Sequence, residues 1–187
     1  MSLTDTNSSA STSTSANPGR PQPGEFAHYH GNYISLVGDK DILATLDEQR
    51  RQTLLLLSGR PESDGDLRYA ADKWSLKEVL GHVNDTERIM AYRALRIARG
   101  DATPLPRFEQ DDYVRDGPFG KTSLPDLIED YIAVRRATLT LFRNLEEKDW
   151  TRQGTVSGNK LTVRALAYII AGHELHHRKI IEEKYLK

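Results

Sequence analysis

Cysteine is missing from this chain of 187 residues. The protein therefore cannot form a disulfide, use its own thiolate as a nucleophile or bind a metal through thiolate ligands. Any metal site would have to be built from histidine and carboxylate side chains. The length favours one domain with a substantial buried core.

An excess of charge of one sign is also missing, since the formal net charge is -1 and neither sign forms a long run. Phosphate backbones and anionic membranes attract basic patches, so we expect neither nucleic acid nor a membrane as a partner. The longest apolar stretches, such as residues 54–57 and 165–171, are far shorter than the roughly 20 residues that cross a bilayer. We therefore expect no membrane-spanning helix.

The N-terminal segment, residues 1–25, is rich in Ser, Thr and Pro and has almost no large apolar side chains. Ordering it would cost conformational entropy without burial to offset the cost, which predicts a disordered tail ahead of a domain at residues 26–187. The segment also lacks the basic start and the apolar core of a secretory signal, so we expect a cytoplasmic protein.

Two amphipathic helices are predicted in the first half of the domain. Apolar residues at helical spacing predict the first over residues 40–58, where Gly59 follows as a stop signal. Ser75 and Glu78 form a Ser-x-x-Glu capping box ahead of an apolar run, which predicts a second helix that ends near Arg99.

Two further helices are predicted after a loop that is rich in Pro and Gly. This loop is long enough to be a crossover or a wall of a site. Ser123 is a candidate N-cap for the third helix, and the fourth is predicted to begin near Thr162 and run almost to the C-terminus. Residues 151–161 lack helical spacing and are predicted to form a loop or turn. Four such segments predict an all-α fold, a four-helix bundle.

His173 and His177 lie four residues apart, so on a helix their side chains project from the same face. At about 100° per residue this face is otherwise apolar, which places the pair on the buried side, with His176 well away from it. Bundle interiors commonly hold metal ions between facing helices, and two imidazoles one turn apart can share one ion. The alternative is a pair of core histidines that are hydrogen-bonded to protein groups.

The sequence HELHH at 173–177 also matches the H-E-x-x-H pattern of zinc peptidases, in which the Glu is the general base. Ile180 and Glu183 stand where the extended form of that motif needs a Gly and a third His, so the match stops there. A third ligand should then come from another helix. The leading candidate is His82, which flanks the apolar stripe of the second helix as a residue facing a cleft would.

Four other polar residues have alternatives that the sequence leaves open. Glu174 is either the general base or an exposed glutamate in a salt bridge. Glu87 lies within the apolar arc of the second helix, which favours an ion pair with an arginine over contact with a histidine ligand. His28 and His30 precede the first helix and are expected to be exposed or partly packed rather than to bind metal.

Three separated segments carry a resemblance to a known family: WSLKEVLGHVNDTERIMAYRALRIARGD, LPRFEQDDYV and ALAYIIAGHELHHRKIIEEKYL. In this order they resemble the DinB-like superfamily, in particular its YfiT-type metal-dependent hydrolases. The resemblance implies an up-down-down-up four-helix bundle with a three-histidine site for nickel, zinc or a similar divalent metal ion. On this chain the site falls on His82, His173 and His177. The N-terminal tail has no counterpart in the family pattern.

The resemblance leaves three functions open. A hydrolase would use the open coordination position to activate water, with Glu174 as the candidate catalytic base. A transferase would bring a low-molecular-weight thiol of the mycothiol or bacillithiol type to the metal. A non-enzymatic metal-binding module of the stress response would do neither. We rank the hydrolase first, and expect a small-molecule substrate and, as one option, a homodimer.

Overall fold

A computed structural model describes residues 18–187, and within them seven α-helices and one two-stranded sheet are found. In chain order these elements are α1 (Gly31–Ile34), α2 (Ile42–Leu57), α3 (Leu76–Ala98), α4 (Gln110–Asp116), α5 (Leu124–Arg143), α6 (Glu147–Trp150), β1 (Gln153–Val156), β2 (Asn159–Thr162) and α7 (Val163–Ile180). A π-helical turn, Ile181–Tyr185, extends α7.

The four long helices, α2, α3, α5 and α7, form the predicted four-helix bundle. Both α2 and α3 pack against α5 and α7, so these two helices, although consecutive in the chain, lie at opposite corners of the bundle. The first half of α7 is buried on every side, since each of the residues 165–171 is buried. None of the helices in residues 18–187 is long and apolar enough to span a membrane.

The helix starts follow the capping signals of the sequence. The Ser75 hydroxyl accepts from the backbone N–H of Glu78 at 3.2 Å, and the Glu78 carboxylate accepts from the backbone N–H of Ser75 at 2.7 Å. At the starts of α5 and α7, the hydroxyls of Ser123 and Thr162 accept from the backbone N–H groups of Asp126 and Ala165, without the reciprocal backbone bond seen at Ser75. These capping bonds satisfy N–H groups that a helix start leaves without intrahelical partners, and they confirm the predicted starts of α3, α5 and α7.

The predicted loop at residues 151–161 differs in the structure, where β1 and β2 form an antiparallel hairpin with Val156 opposite Asn159. Ser157 and Gly158 make the two-residue turn, and both have positive φ, 51° and 78°. Turns with positive φ at both central residues match the twist of paired strands. Each strand has only four residues, too few to show an alternating pattern in the sequence.

The segment before α1 also differs from the prediction. Residues 1–17 lie outside the described residues, but residues 18–25, which we assigned to the tail, contact the bundle. The Arg20 guanidinium donates to the backbone carbonyls of Ile34 and Val37 at 2.8 and 2.7 Å, and Arg164 forms an ion pair with Glu25. The packed chain therefore begins before residue 26. Hydrogen bonds hold this segment, so a count of apolar residues could not find it.

Candidate metal centre

The structure brings together the three histidines that were predicted to bind metal. His82 comes from α3, and His173 and His177 come from α7. One ring nitrogen of each lies within 4.8 Å of the others. The Nε2 atoms of His82 and His173 are 3.0 Å apart, and the two rings on α7 have centroids 4.5 Å apart. We call these three residues the histidine group.

Burial keeps the histidine group uncharged. His82 and His173 expose only 3% and 6% of their surface. Desolvation, with the charge of His176 as a smaller cause, lowers the pKa of His82 to about 4. It also lowers the pKa of His177 to about 3 and that of His173 well below its usual value. At neutral pH each imidazole is therefore neutral and has a lone pair to offer.

The donor set of the histidine group fits a divalent ion of the late first-row metals. Three neutral imidazole nitrogens converge, and none of the three atoms belongs to a carboxylate. Such ions accept imidazole ligands readily, and zinc sites with three histidines retain a further coordination position. The Thr86 hydroxyl oxygen lies 3.5 Å from Nδ1 of His82, on the opposite side of the ring from the nitrogen that faces His173.

Two aromatic side chains enclose the histidine group. The Tyr33 ring packs edge-on against His173 with centroids 5.4 Å apart, and the Trp74 ring lies 4.9 Å from His82. Tyr33 can approach because Gly172 has no side chain: a Cβ there would lie 2.0 Å from the Tyr33 carbonyl oxygen. These aromatic residues could not be found from the sequence, because they lie outside α3 and α7, the helices that carry the histidine group.

Two cavities open onto the histidine group, and Asp111 lines both of them. The larger, of about 560 Å³, reaches His82 and His173 and is walled by residues 107–111. The smaller, of about 480 Å³, reaches His177 and Trp74. Both volumes are within the range of small-molecule sites. The long loop before α5 does form a wall, which is one of the two roles considered for it.

Glu174 is buried on the other side of α7, with 2% of its surface exposed. The hydroxyl groups of Thr53 and Tyr131 donate to its Oε1, that of Tyr131 at 3.5 Å. Burial raises the pKa of Glu174, although the charge of Arg135 acts against this shift. The exposed salt bridge considered for Glu174 is therefore wrong. Glu174 lines neither cavity, and its role as a general base stays a prediction.

Glu87 forms the ion pair with arginine that the sequence favoured. Its partner is Arg135 on α5, whose Nε and Nη2 donate to the two carboxylate oxygens at 2.8 Å each. Arg135 also donates to the carbonyl of Leu46 and to the side chain of Gln49. We call Glu87, Arg135 and Glu174 the carboxylate–arginine cluster. Arg135 is fully buried and was not singled out from the sequence.

The remaining histidines lie outside the histidine group. His28 and His176 are exposed, although the His176 ring lies 5.0 Å from that of His177. His30 is buried, with 7% exposed, and lines the larger cavity. It is thus more deeply packed than the sequence analysis expected, but it is not among the candidate ligands.

Comparisons with known proteins agree with this fold. A family model described as the DinB superfamily matches residues 45–181. A solved structure, described as "YfiT from Bacillus subtilis is a probable metal-dependent hydrolase with an unusual four-helix bundle topology", is similar with a TM-score of 0.63. The two chains are 14% identical, and the match covers 87% of this chain and 89% of the other. The search of curated proteins found no significant match.

Proposed function

Because this chain belongs to the DinB superfamily, we propose that it is a divalent-metal-dependent hydrolase of a small-molecule substrate, with His82, His173 and His177 as the metal ligands. The observation that carries the proposal is the histidine group itself. Three ring nitrogens from two helices converge to within 4.8 Å in a buried position, beside cavities large enough for a small molecule.

When bound, a divalent ion lowers the pKa of water or of a small thiol that reaches it, which supplies the nucleophile of a hydrolase or of a thiol transferase. The residues in and around the histidine group prepare the site for the metal. Desolvation keeps the three imidazoles neutral, so no proton competes for their lone pairs near neutral pH. The Thr86 hydroxyl orients His82, and Tyr33 and Trp74 exclude water from the sides of the histidine group.

We rank nickel and zinc first as the metal, since an all-nitrogen donor set favours late first-row ions. The similar structure of YfiT is described as that of a probable metal-dependent hydrolase, which supports the same reaction class here. A homodimer and a cytoplasmic location stay predictions. Light scattering coupled to size exclusion chromatography would test the first.

A thiol transferase is the second candidate, because two cavities rather than one reach the histidine group. The cavity beside His177 and the cavity beside His82 and His173 could each hold one of two substrates, a small thiol and its electrophile. A hydrolase needs only one organic substrate. The third candidate is a metal-binding module without activity. Such a module binds no organic substrate and therefore needs neither cavity.

One set of assays separates these candidates. The protein is purified without added metal, analysed for metal content, and assayed for ester hydrolysis and for conjugation of small thiols to an electrophile. We expect about one equivalent of metal and hydrolysis that His177→Ala abolishes and His28→Ala leaves unchanged. Conjugation without hydrolysis would favour the transferase. Metal without either activity would favour the module, and absence of metal binding would reject all three.

A further inference from the structure

The larger cavity contains a buried arginine whose charge has no counterion among residues 18–187. Arg93 on α3 lines this cavity together with His82 and His173, and only 5% of its surface is exposed. Its guanidinium donates to the carbonyl of Pro106 at 2.7 Å and contacts the Met90 sulfur at 3.4 Å. Neither acceptor carries a charge.

Arg93 forms no ion pair with any carboxylate in residues 18–187, which distinguishes it from Arg135, the other buried arginine of the bundle. Desolvation lowers the pKa of Arg93. Burying a charge is costly unless it is paired, so buried cations are normally matched by an anion. A guanidinium has five N–H donors in a fixed fork, and only two acceptors are found for that of Arg93 within the same residues.

A histidine with an unsatisfied ring nitrogen lines the same cavity. His30 is 7% exposed, and its Nδ1 is buried without a hydrogen-bond partner in the described part of the chain. Desolvation, and after it the nearby charge of Arg93, lower the pKa of His30 to about 4. His30 is therefore neutral and can donate one N–H group to a ligand.

The carboxylates of this cavity lie at its rim. Glu109 is exposed and pairs with Arg107, also exposed, at 3.2 Å. Asp111 is exposed as well. Exposed acids are screened by water, so they compensate little of the charge of a buried arginine. The interior of the cavity thus carries the positive charge of Arg93, whereas the three charged residues of its rim carry one negative charge in excess, which water screens.

We propose that Arg93 and His30 form an anion-binding subsite, and that the substrate of this protein carries a carboxylate group away from the bond that reacts. The planar guanidinium matches a carboxylate in geometry as well as in charge, and His30 can donate to the same group. Because His82 and His173 line the same cavity, an anchored carboxylate would place the remainder of the substrate beside the histidine group. The identification of this group as part of a substrate rests on the proposed function.

Binding of succinate to protein treated with a chelator tests the subsite without any turnover. We expect titration calorimetry to show binding of succinate and none of succinamide, its uncharged analogue. Arg93→Met should weaken succinate binding by about tenfold or more, because it removes a charged donor. Arg107→Met is the matched control: it removes the same charge from the exposed rim of the same cavity and should change binding by about twofold or less.

Arg93→Met also removes a hydrogen bond to Pro106, so the wild-type protein provides a measurement that needs no change at Arg93. The imidazole resonances of His30, identified in NMR spectra by their absence from His30→Gln, should shift when succinate is added. Unshifted resonances, equal affinity for succinamide, or equal effects of the two arginine variants would overturn the subsite. Succinate that binds only after metal loading would overturn it too. Succinate binding by a protein that hydrolyses nothing would reject the hydrolase and retain the subsite.

Discussion

His173 and Glu174 are neighbours on α7, yet they belong to two buried polar clusters of different kinds. In the carboxylate–arginine cluster, the Glu87 carboxylate and the Arg135 guanidinium satisfy each other at 2.8 Å, although Oε2 of Glu174 has no hydrogen-bond partner within residues 18–187. In the histidine group, three neutral rings point nitrogen atoms at one another, and two cavities reach them. Polar groups that satisfy each other hold a fold together, whereas convergent lone pairs are suited to an external ligand.

The largest effect of this difference is expected on metal content, when one histidine of the histidine group is replaced. We expect His173→Ala or His177→Ala to abolish stoichiometric metal binding, because each removes one of three ligands. His28→Ala and His30→Ala should leave the metal content intact. Elemental analysis of the four purified variants measures this directly, and equal metal content in all of them would refute the assignment of the histidine group.

His82 is the proposed metal ligand on α3. His82→Ala should weaken the affinity for zinc and nickel by about tenfold or more and leave the helical content nearly unchanged, since Ala is a good helix former. Metal titration and circular dichroism of the same sample give both results. Undiminished affinity in a folded variant would place the third ligand elsewhere, with His176 or Asp85 as the next candidates.

Substitutions in the carboxylate–arginine cluster should lower the stability of the fold and leave metal binding unchanged. Arg135→Met leaves the Glu87 charge buried without its partner, which should lower the free energy of unfolding by about 3–5 kcal/mol. Metal content per folded molecule should not change. The double variant Glu87→Leu with Arg135→Met should regain much of this stability, as measured by urea denaturation. Metal loss in a folded Arg135→Met protein would show that the two clusters are coupled.

Lowering the pH should reduce the free energy of unfolding of the metal-free protein, because the histidine group becomes protonated on unfolding. Folding lowers the pKa of His82 from 6.5 to about 4, so the unfolded chain binds more protons between these values and stability falls as the pH drops through this window. For His82 the loss amounts to about 3 kcal/mol at most. Unfolding is measured from neutral to acidic pH in wild type and in His82→Asn, which should have a shallower slope. Equal slopes would contradict a neutral, buried His82.

The smallest effect is expected at Glu174. Burial raises the pKa of this carboxyl, which favours its neutral form relative to an exposed glutamate, and Glu174→Gln introduces a neutral group of similar shape. We expect a change in the free energy of unfolding of less than about 1 kcal/mol and unchanged metal content. If hydrolysis is detected, a loss in kcat of about a hundredfold or more would instead support Glu174 as the general base.

Local signals made most of the fold predictable. The capping box at Ser75 and the caps at Ser123 and Thr162 act within one helical turn, so they can be read from neighbouring residues. The same holds for the spacing of His173 and His177. The position of His82 on its helix already made it the leading third ligand, and the family resemblance led to the same residue.

Long-range pairings could not be predicted in this way. Glu87 was expected to have an arginine partner, but the choice of Arg135 depends on how α3 and α5 lie against each other. The bond from Thr53 to Glu174 likewise joins residues far apart in the chain. The burial of His30 depends on α1 covering α7, which no periodicity in that short segment indicates.

The close approach of Tyr33 to Gly172 has a consequence for protein engineering. The carbonyl of Tyr33 occupies the place where a side chain at position 172 would begin, so α1 and α7 have complementary shapes at this point. The two histidines of α7 are therefore not a portable motif. Grafting Val163–Ile180 onto another bundle would transfer the ligands but leave His173 without its aromatic cover, unless Gly31–Ile34 were transferred as well.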